Sequence, residues 1–320
     1  MTRPFIIDTA SDDAVALIMA LRAPDVDVKA LTIVSGNVSV EQATRNALYT
    51  LELCGCASIP VYQGADRPLL RDADRAEWFH GADGMGNQDY PEPKSKPAPG
   101  HAVNALIETI KSNPGIVLVT LGPLTNIALT LAQAPEIVPL VSRCVVMGGT
   151  AWSVGNVTPA AEFNIWQDPE AAQIVFRSGL PVEMVGWELC RFSAGLTPEE
   201  IEYVRRLNTE LAHFTIDCNR TAMDAIRIQS GVIGLELPDP VAMAVAIDPT
   251  ICTRGSKHAV DVETQSELTR GMTVIDQLDN AGDERNRVLW RPVLERGNVS
   301  VCWEIDVPRW KDMLYTALRD

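Results

Sequence analysis

The stretch Pro4-Phe5-Ile6-Ile7-Asp8-Thr9-Ala10-Ser11-Asp12-Asp13-Ala14-Val15-Ala16-Leu17-Ile18-Met19 decides the fold. Its apolar run Pro4 to Ile7 reads as a buried strand, and the pattern from Asp12 to Arg22 as the helix that follows. Between them Asp8, Asp12 and Asp13 put three carboxylates into six residues. Such a cluster at a strand end repels itself, and a divalent cation among the oxygens relieves the repulsion. An oxygen-only donor set suits a hard ion, Ca2+ or Mg2+, better than zinc. The plainer reading is a capped helix start, with Ser11 as N-cap and Asp12 and Asp13 favoured by the helix dipole.

Outward from this unit the pattern repeats. Strands are expected at Val28 to Val34, Ile59 to Tyr62, Ile116 to Leu121, Cys144 to Met147 and Val182 to Val185. Helices alternate with them, at Ser39 to Leu53, Ala102 to Lys111, from Gly122-Pro123-Leu124-Thr125-Asn126, and Pro169 to Phe176. This alternation predicts an α/β fold with an open, mostly parallel central sheet flanked by helices. Thr197-Pro198-Glu199-Glu200 is a capping box opening a mostly helical stretch to Arg227. Residues 257 to 306 look rich in strand, and Trp310 to Leu318 is a final amphipathic helix. No linker or internal repeat divides the 320 residues, so one domain, 1–320, is expected, with loop inserts around 64–100 and 151–168. In the first insert, Gly81, Gly84 and Gly86 let the backbone fold closely around something, or form a surface turn.

Bulk composition narrows the function. A net charge of −15 argues against nucleic acid as a partner. No apolar run reaches the ~18 residues a membrane span needs, and no signal-peptide pattern opens the chain, so a cytoplasmic protein without a membrane partner is expected. Most of the seven dispersed cysteines read as reduced, buried, small hydrophobes, with Cys190 set aside.

Asp8, Asn37, Leu121, Met147-Gly148 and Glu188 all fall at or just past the C-terminal ends of expected strands, the edge where open α/β sheets bind ligands. The inserts add His80, Asn156, Glu162, Asn164 and Asp168, and a helix start adds Asp239. Together with Ser35-Gly36-Asn37, His80-Gly81, Gly84-Met85-Gly86, Gly122-Pro123-Leu124-Thr125-Asn126, Met147-Gly148-Gly149, Ala161-Glu162-Phe163-Asn164-Ile165, Asp168-Pro169-Glu170-Ala171-Ala172 and Asp239-Pro240, the chain resembles the inosine-uridine preferring nucleoside hydrolases over nearly its whole length.

The resemblance implies Ca2+-dependent hydrolysis of the N-glycosidic bond of ribonucleosides by a water nucleophile. It assigns the metal to Asp8, Asp13, Asp239 and the Leu121 carbonyl, with Asp8 also the general base. It assigns substrate contacts to Asp12, Met147, Asn156, Glu162, Phe163 and Asn164, places Asn37 beside the metal-site water and the glycosidic bond, and places His80 near the base or sugar, both as catalytic residues. Carboxylates around the sugar suit the oxocarbenium character of the transition state. It further implies a homodimer or homotetramer.

Two positions depart from the family pattern. Relatives carry Asp-x-Asp-x-x-x-Asp-Asp, whereas Asp8 alone precedes Asp12-Asp13. If Asp8 takes the second Asp's place, Ile6 replaces the outer one and strand facing is kept; this register is favoured. If it takes the first, a metal ligand is lost, and the chain becomes a nucleoside- or ribose-binding homologue with weakened or lost turnover. Pro238 stands where some relatives have a His that protonates the departing base. His80, a water chain or Cys190 are the candidates for that proton, Cys190 being more in keeping with a buried hydrophobe. Trp152, Trp166 and Trp187 lie near the inferred mouth and could stack on a base. A Mg2+-dependent phosphotransfer enzyme is disfavoured, because no glycine-rich phosphate loop is present.

Overall fold

A computed structural model describes residues 2–10, 13–280, 282–289 and 299–319. Ser11 and the expected substrate residue Asp12 lie outside the described residues. The strands are β1 (Arg3–Thr9), β2 (Val26–Ile33), β3 (Val61–Gln63), β4 (Ile116–Thr120), β5 (Val141–Met147), β6 (Val182–Val185), β7 (Cys252–His258), β8 (Val260–Val262), β9 (Thr273–Ile275) and β10 (Val299–Ile305). The main sheet has the order β3-β2-β1-β4-β5-β6-β10-β7, parallel throughout except for β7, which runs antiparallel to β10. β8 and β9 form a separate antiparallel pair. The expected single-domain α/β architecture is the one observed.

Strand alternation sorts the core into two layers. Phe5 and Ile7 face the helices Ala14–Arg22, Val40–Leu53, Pro238–Ile247 and Val307–Ala317. Ile6 faces the opposite layer, packed with residues of the helices Ala102–Ser112, Thr125–Gln133 and Pro169–Phe176. Asp8 shares the facing of Ile6, which brings it toward the helix Thr125–Gln133. Burial on both faces explains why the central strands read as unbroken apolar runs.

Several expectations are refined. The helix after β4 begins at Thr125, so Pro123 lies in the turn before it rather than in its first turn. Asp13 occupies the cap position of the first helix but makes no side-chain cap there; its carboxylate is used elsewhere. The stretch from Thr197 to Arg227 is three helices, Pro198–Arg206, Glu210–Asp217 and Arg220–Ser230, the first opened by the expected capping box. Gly86 has φ 75°, and a Cβ on it would meet the Asp217 carbonyl oxygen at 2.7 Å, so this glycine turn folds against the protein's own helix. All seven cysteines are free thiols. Among the described residues no helix is long and apolar enough to cross a membrane.

Candidate active site

The C-terminal edge of the parallel strands opens onto a cavity of about 610 Å³. Parallel pairing places the ends of β1, β4, β5 and β6 side by side, so residues distant in sequence meet there. Leu121 follows β4 and Met147 ends β5, and both line the cavity. So do Asn37 after β2, His80 at the end of the short helix Glu77–His80, and Asp239 in the first turn of Pro238–Ile247. The insert 151–168 supplies Asn156, Glu162, Phe163 and Asn164 to the same wall.

The insert is tied to the sheet by its own site residues. Glu162 caps the helix Phe163–Gln167: Oε1 accepts from the Asn164 amide at 2.8 Å, and Oε2 accepts from the amides of Gly149 at 2.8 Å and Ile165 at 3.2 Å. Asn164 Nδ2 donates to the Leu121 carbonyl at 2.9 Å and to the Met147 carbonyl at 3.3 Å. Asn156 Oδ1 accepts from the Phe163 amide at 2.9 Å. Burial pushes the Glu162 carboxyl up to about 7 against the pull of its three amide donors, with Glu188 pushing the same way.

Asp8 is completely buried and does not itself line the cavity. Its carbonyl accepts from the Leu121 amide at 2.9 Å, which sets it directly behind that wall. Thr32 Oγ1 at 2.6 Å and Asn126 Nδ2 at 2.8 Å both donate to Asp8 Oδ1. Oδ2 is buried with no hydrogen-bond partner among the described residues. Desolvation raises the Asp8 carboxyl to about 7, opposed by the Thr32 and Asn126 hydrogen bonds. Asp13, also buried, accepts from the Thr9 hydroxyl and from the Ala10 amide, the latter at 2.7 Å.

Among the described residues no group of three His, Cys, Asp or Glu side chains is gathered closely enough to hold an ion by side chains alone. The three carboxylates of the expected set, Asp8, Asp13 and Asp239, are therefore not gathered on one point: Asp239 lines the cavity, Asp8 lies behind it, and Asp13 sits in a separate small pocket with Thr9, Ala43, Asn46 and Thr50. The oxygen-only donors and the uncompensated Asp8 Oδ2 fit a hard cation, because a buried carboxylate oxygen with no donor is costly unless a positive charge meets it.

Some expected residues serve the scaffold. Asp168 accepts from Thr125 Oγ1 at 2.6 Å, the Leu69 amide at 2.9 Å and the Ala171 amide at 3.0 Å, and it pins the first insert to two helices. Glu188 is buried behind the wall, accepting from the Ala151 amide at 2.7 Å. Cys190 is buried outside the cavity lining, its thiol donates to the Trp187 carbonyl at 3.0 Å, and burial raises it well above its ordinary range. That excludes it as the proton source for a departing base. Trp166 and Trp187 line the cavity, whereas Trp152 does not.

Arg191, Glu236, Asn219 and Gln229 also line the cavity and were not singled out from sequence. Arg191 and Glu236 each carry a charge in or beside a motif, but nothing in their spacing shows that separate loops bring them together. Asn126 and Thr32, which hold Asp8, gave no signal of that role beyond Asn126's place in a motif.

The family model for the inosine-uridine preferring nucleoside hydrolases matches residues 6–312. The pyrimidine-specific ribonucleoside hydrolase RihA of Salmonella agona is 38% identical over 95% of this chain and 98% of its own. Among solved structures, a plant nucleoside hydrolase, PpNRh1, superposes with TM-score 0.89 at 32% identity, covering 99% of each chain. A purine-preferring ribonucleoside hydrolase from Gardnerella vaginalis gives TM-score 0.86 at 33% identity, covering 99% of this chain and 98% of that one. Sequence match and fold thus agree over nearly the whole chain, and the chain belongs to the inosine-uridine preferring nucleoside hydrolases, enzymes that act on ribonucleosides.

Proposed function

We propose that the enzyme cleaves the N-glycosidic bond of ribonucleosides with Ca2+ held by Asp8, Asp13, Asp239 and the Leu121 carbonyl, releasing ribose and free base. The observation that carries the reading is the fully buried Asp8 Oδ2, which has no donor among the described residues, on a residue whose backbone carbonyl accepts from the Leu121 amide behind the cavity wall. When bound, the ion supplies Lewis-acid activation of the attacking water and a contact for ribose hydroxyls.

The chain's own residues do the rest. Asp8, held in one orientation by Thr32 and Asn126, accepts a proton from the water. Asn156, Glu162 and Asn164 hold the ribose, with Asp12 as a further contact, and the Glu162 carboxylate opposes the positive charge that develops on the sugar ring. Because Glu162 and Asn164 are fixed to Gly149, Ile165, Leu121 and Met147, the sugar is aligned by a preformed wall. Asn37 and His80 line the same cavity, where they would stand close to the bound nucleoside. In the favoured register, with Asp8 in the second position of the family motif, Ile6 would take the outer Asp's place; Ile6 is buried in the apolar core two residues before Asp8, a facing common to both registers.

The relatives differ in the base they accept, one pyrimidine-specific and another purine-preferring, so neither name settles it for this chain. The test is reducing-sugar release from inosine, uridine, cytidine and adenosine, with 2′-deoxyuridine as a control for the ribose contacts. Release from the ribonucleosides and at least about tenfold slower release from the deoxynucleoside are expected if hydroxyl contacts contribute ~1.4 kcal/mol or more. Equal rates on uridine and deoxyuridine would contradict the ribose placement.

A further inference from the structure

Pro238 leaves the site without the acid that some relatives place next to the late metal ligand, burial removes Cys190 from consideration, and His80 stays on the cavity wall. The cavity also holds a clamped cation. Arg191 follows the turn Trp187–Cys190 beyond β6, with its guanidinium carbon 4.4 Å from the Trp187 ring centroid and 4.8 Å from that of Phe192. Stacking between two rings fixes the plane of the guanidinium. Phe192 adopts φ 55° to complete the clamp, a left-handed conformation unfavourable for a bulky residue.

The clamp leaves donors to spare. Nη1 donates to Ser153 Oγ at 3.4 Å, and the nearest carboxylate oxygen, Glu236 Oε1, is 3.9 Å from Nε, beyond hydrogen-bond reach. Nε is buried with no hydrogen-bond partner among the described residues. Arg191, Trp187 and Glu236 all line the cavity. With the ribose held at Asn156, Glu162 and Asn164, a placement this inference rests on, the base falls among the remaining wall, where Trp187 and Arg191 stand.

We infer that Arg191 stabilises the departing base as an anion, by charge and hydrogen bonding and without giving up a proton. The oxygen of water bonds to C1′ as the C1′–N bond breaks, and that bond's electron pair passes to the ring nitrogen. One water proton stays on the new sugar hydroxyl, and the other leaves through a carboxylate of the ribose end. The base, held by the guanidinium donors, takes its proton from solvent. Arginine suits this role because it stays charged throughout the working pH range, and its charge meets negative charge that exists only as the bond breaks.

The test takes uridine, or in its place throughout whichever of inosine, cytidine and adenosine the wild-type enzyme cleaves faster, and compares it with p-nitrophenyl β-D-ribofuranoside, whose leaving group is stable as an anion without help. In Arg191→Met, kcat on uridine should fall by roughly 100-fold, the loss typical of one transition-state donor, while nitrophenol release stays within about threefold of wild type. If Arg191→Met does not fold, Arg191→Lys, which keeps the charge and loses the planar fork, should show the same split with a loss on uridine of about tenfold. Equal losses on the two substrates, or uridine turnover at the wild-type rate, would overturn the assignment. Nitrophenol release by the wild-type enzyme reports the ribose end alone, so a failure of the ribose placement shows there and a failure of the Arg191 role shows only in the ratio.

Discussion

The Asn126 side-chain amide donates to Asp8 Oδ1 at 2.8 Å, joining the start of the fifth helix-forming stretch to the end of the first strand across 118 positions. The same Nδ2 donates to the Ile33 carbonyl at 3.0 Å, and Asn126 Oδ1 accepts from the Ala65 amide at 2.9 Å. One buried amide thus holds the end of β1, the end of β2 and the first insert in register. Asn126→Ala leaves those partners unsatisfied and should destabilise the protein by about 3 kcal/mol, read as a lowered midpoint in urea unfolding. Asn126→Asp would set two carboxylates together and should lose activity as well as stability.

The raised carboxyls give a pH signature to the metal-free protein. Asp8 and Glu162 both stand at about 7 in the folded chain, above their unfolded values near 4. A folded pKa above the unfolded one means that the native state binds the proton more tightly. The stability so contributed is full below about pH 4 and is lost as pH rises through about 7. Thermal unfolding in chelator should therefore show a midpoint that falls between pH 5 and 8. Added Ca2+ should raise the midpoint more at pH 8 than at pH 5, since the ion meets the ionised carboxylates. A midpoint in chelator that rises over this range would contradict the burial of these groups as uncompensated acids.

Asp168 separates scaffold from site. It accepts from Thr125, Leu69 and Ala171 and lines no part of the cavity. Asp168→Ala should cost about 3 kcal/mol of stability through the lost hydrogen bonds, yet leave kcat/KM of the folded fraction within about threefold. Unfolding and steady-state kinetics on one preparation separate the two effects.

Glu162 should behave in the opposite sense. Both of its carboxylate oxygens accept backbone amides, so Glu162→Gln must turn an amide NH2 toward a donor and also removes the negative charge facing the sugar. A loss of roughly 100- to 1000-fold in kcat/KM is expected for such an electrostatic contact, measured as ribose release from uridine.

The periodic parts of the fold were legible in sequence because both sheet faces are buried. Val182–Val185 and Pro169–Phe176 run over the expected residues, and the parallel order follows from strand and helix alternation. The helix start at Thr125 was placed too early because Pro123 suits a turn as well as a first helical residue. Asn37, Leu121, Met147, Glu162 and Asn164 stood out by their relation to strand ends and to family motifs, and all line one cavity. Asp168 and Glu188 satisfied the same rule but lie outside the cavity lining, a difference that only the packing decides. Arg191 and Glu236 escaped notice because their meeting depends on how the loop after β6 folds against the chain before Pro238.

The most direct test of the central claim is a Ca2+ titration of chelated protein, with bound ion and ribose release from uridine followed in the same samples. Activity and bound ion should rise together and saturate at one ion per chain, and Asp13→Ala and Asp239→Ala should each require at least tenfold more Ca2+, the ~1.4 kcal/mol or more expected for a lost ligand. Full activity in the ion-free protein, or an unchanged titration in both variants, would contradict the account.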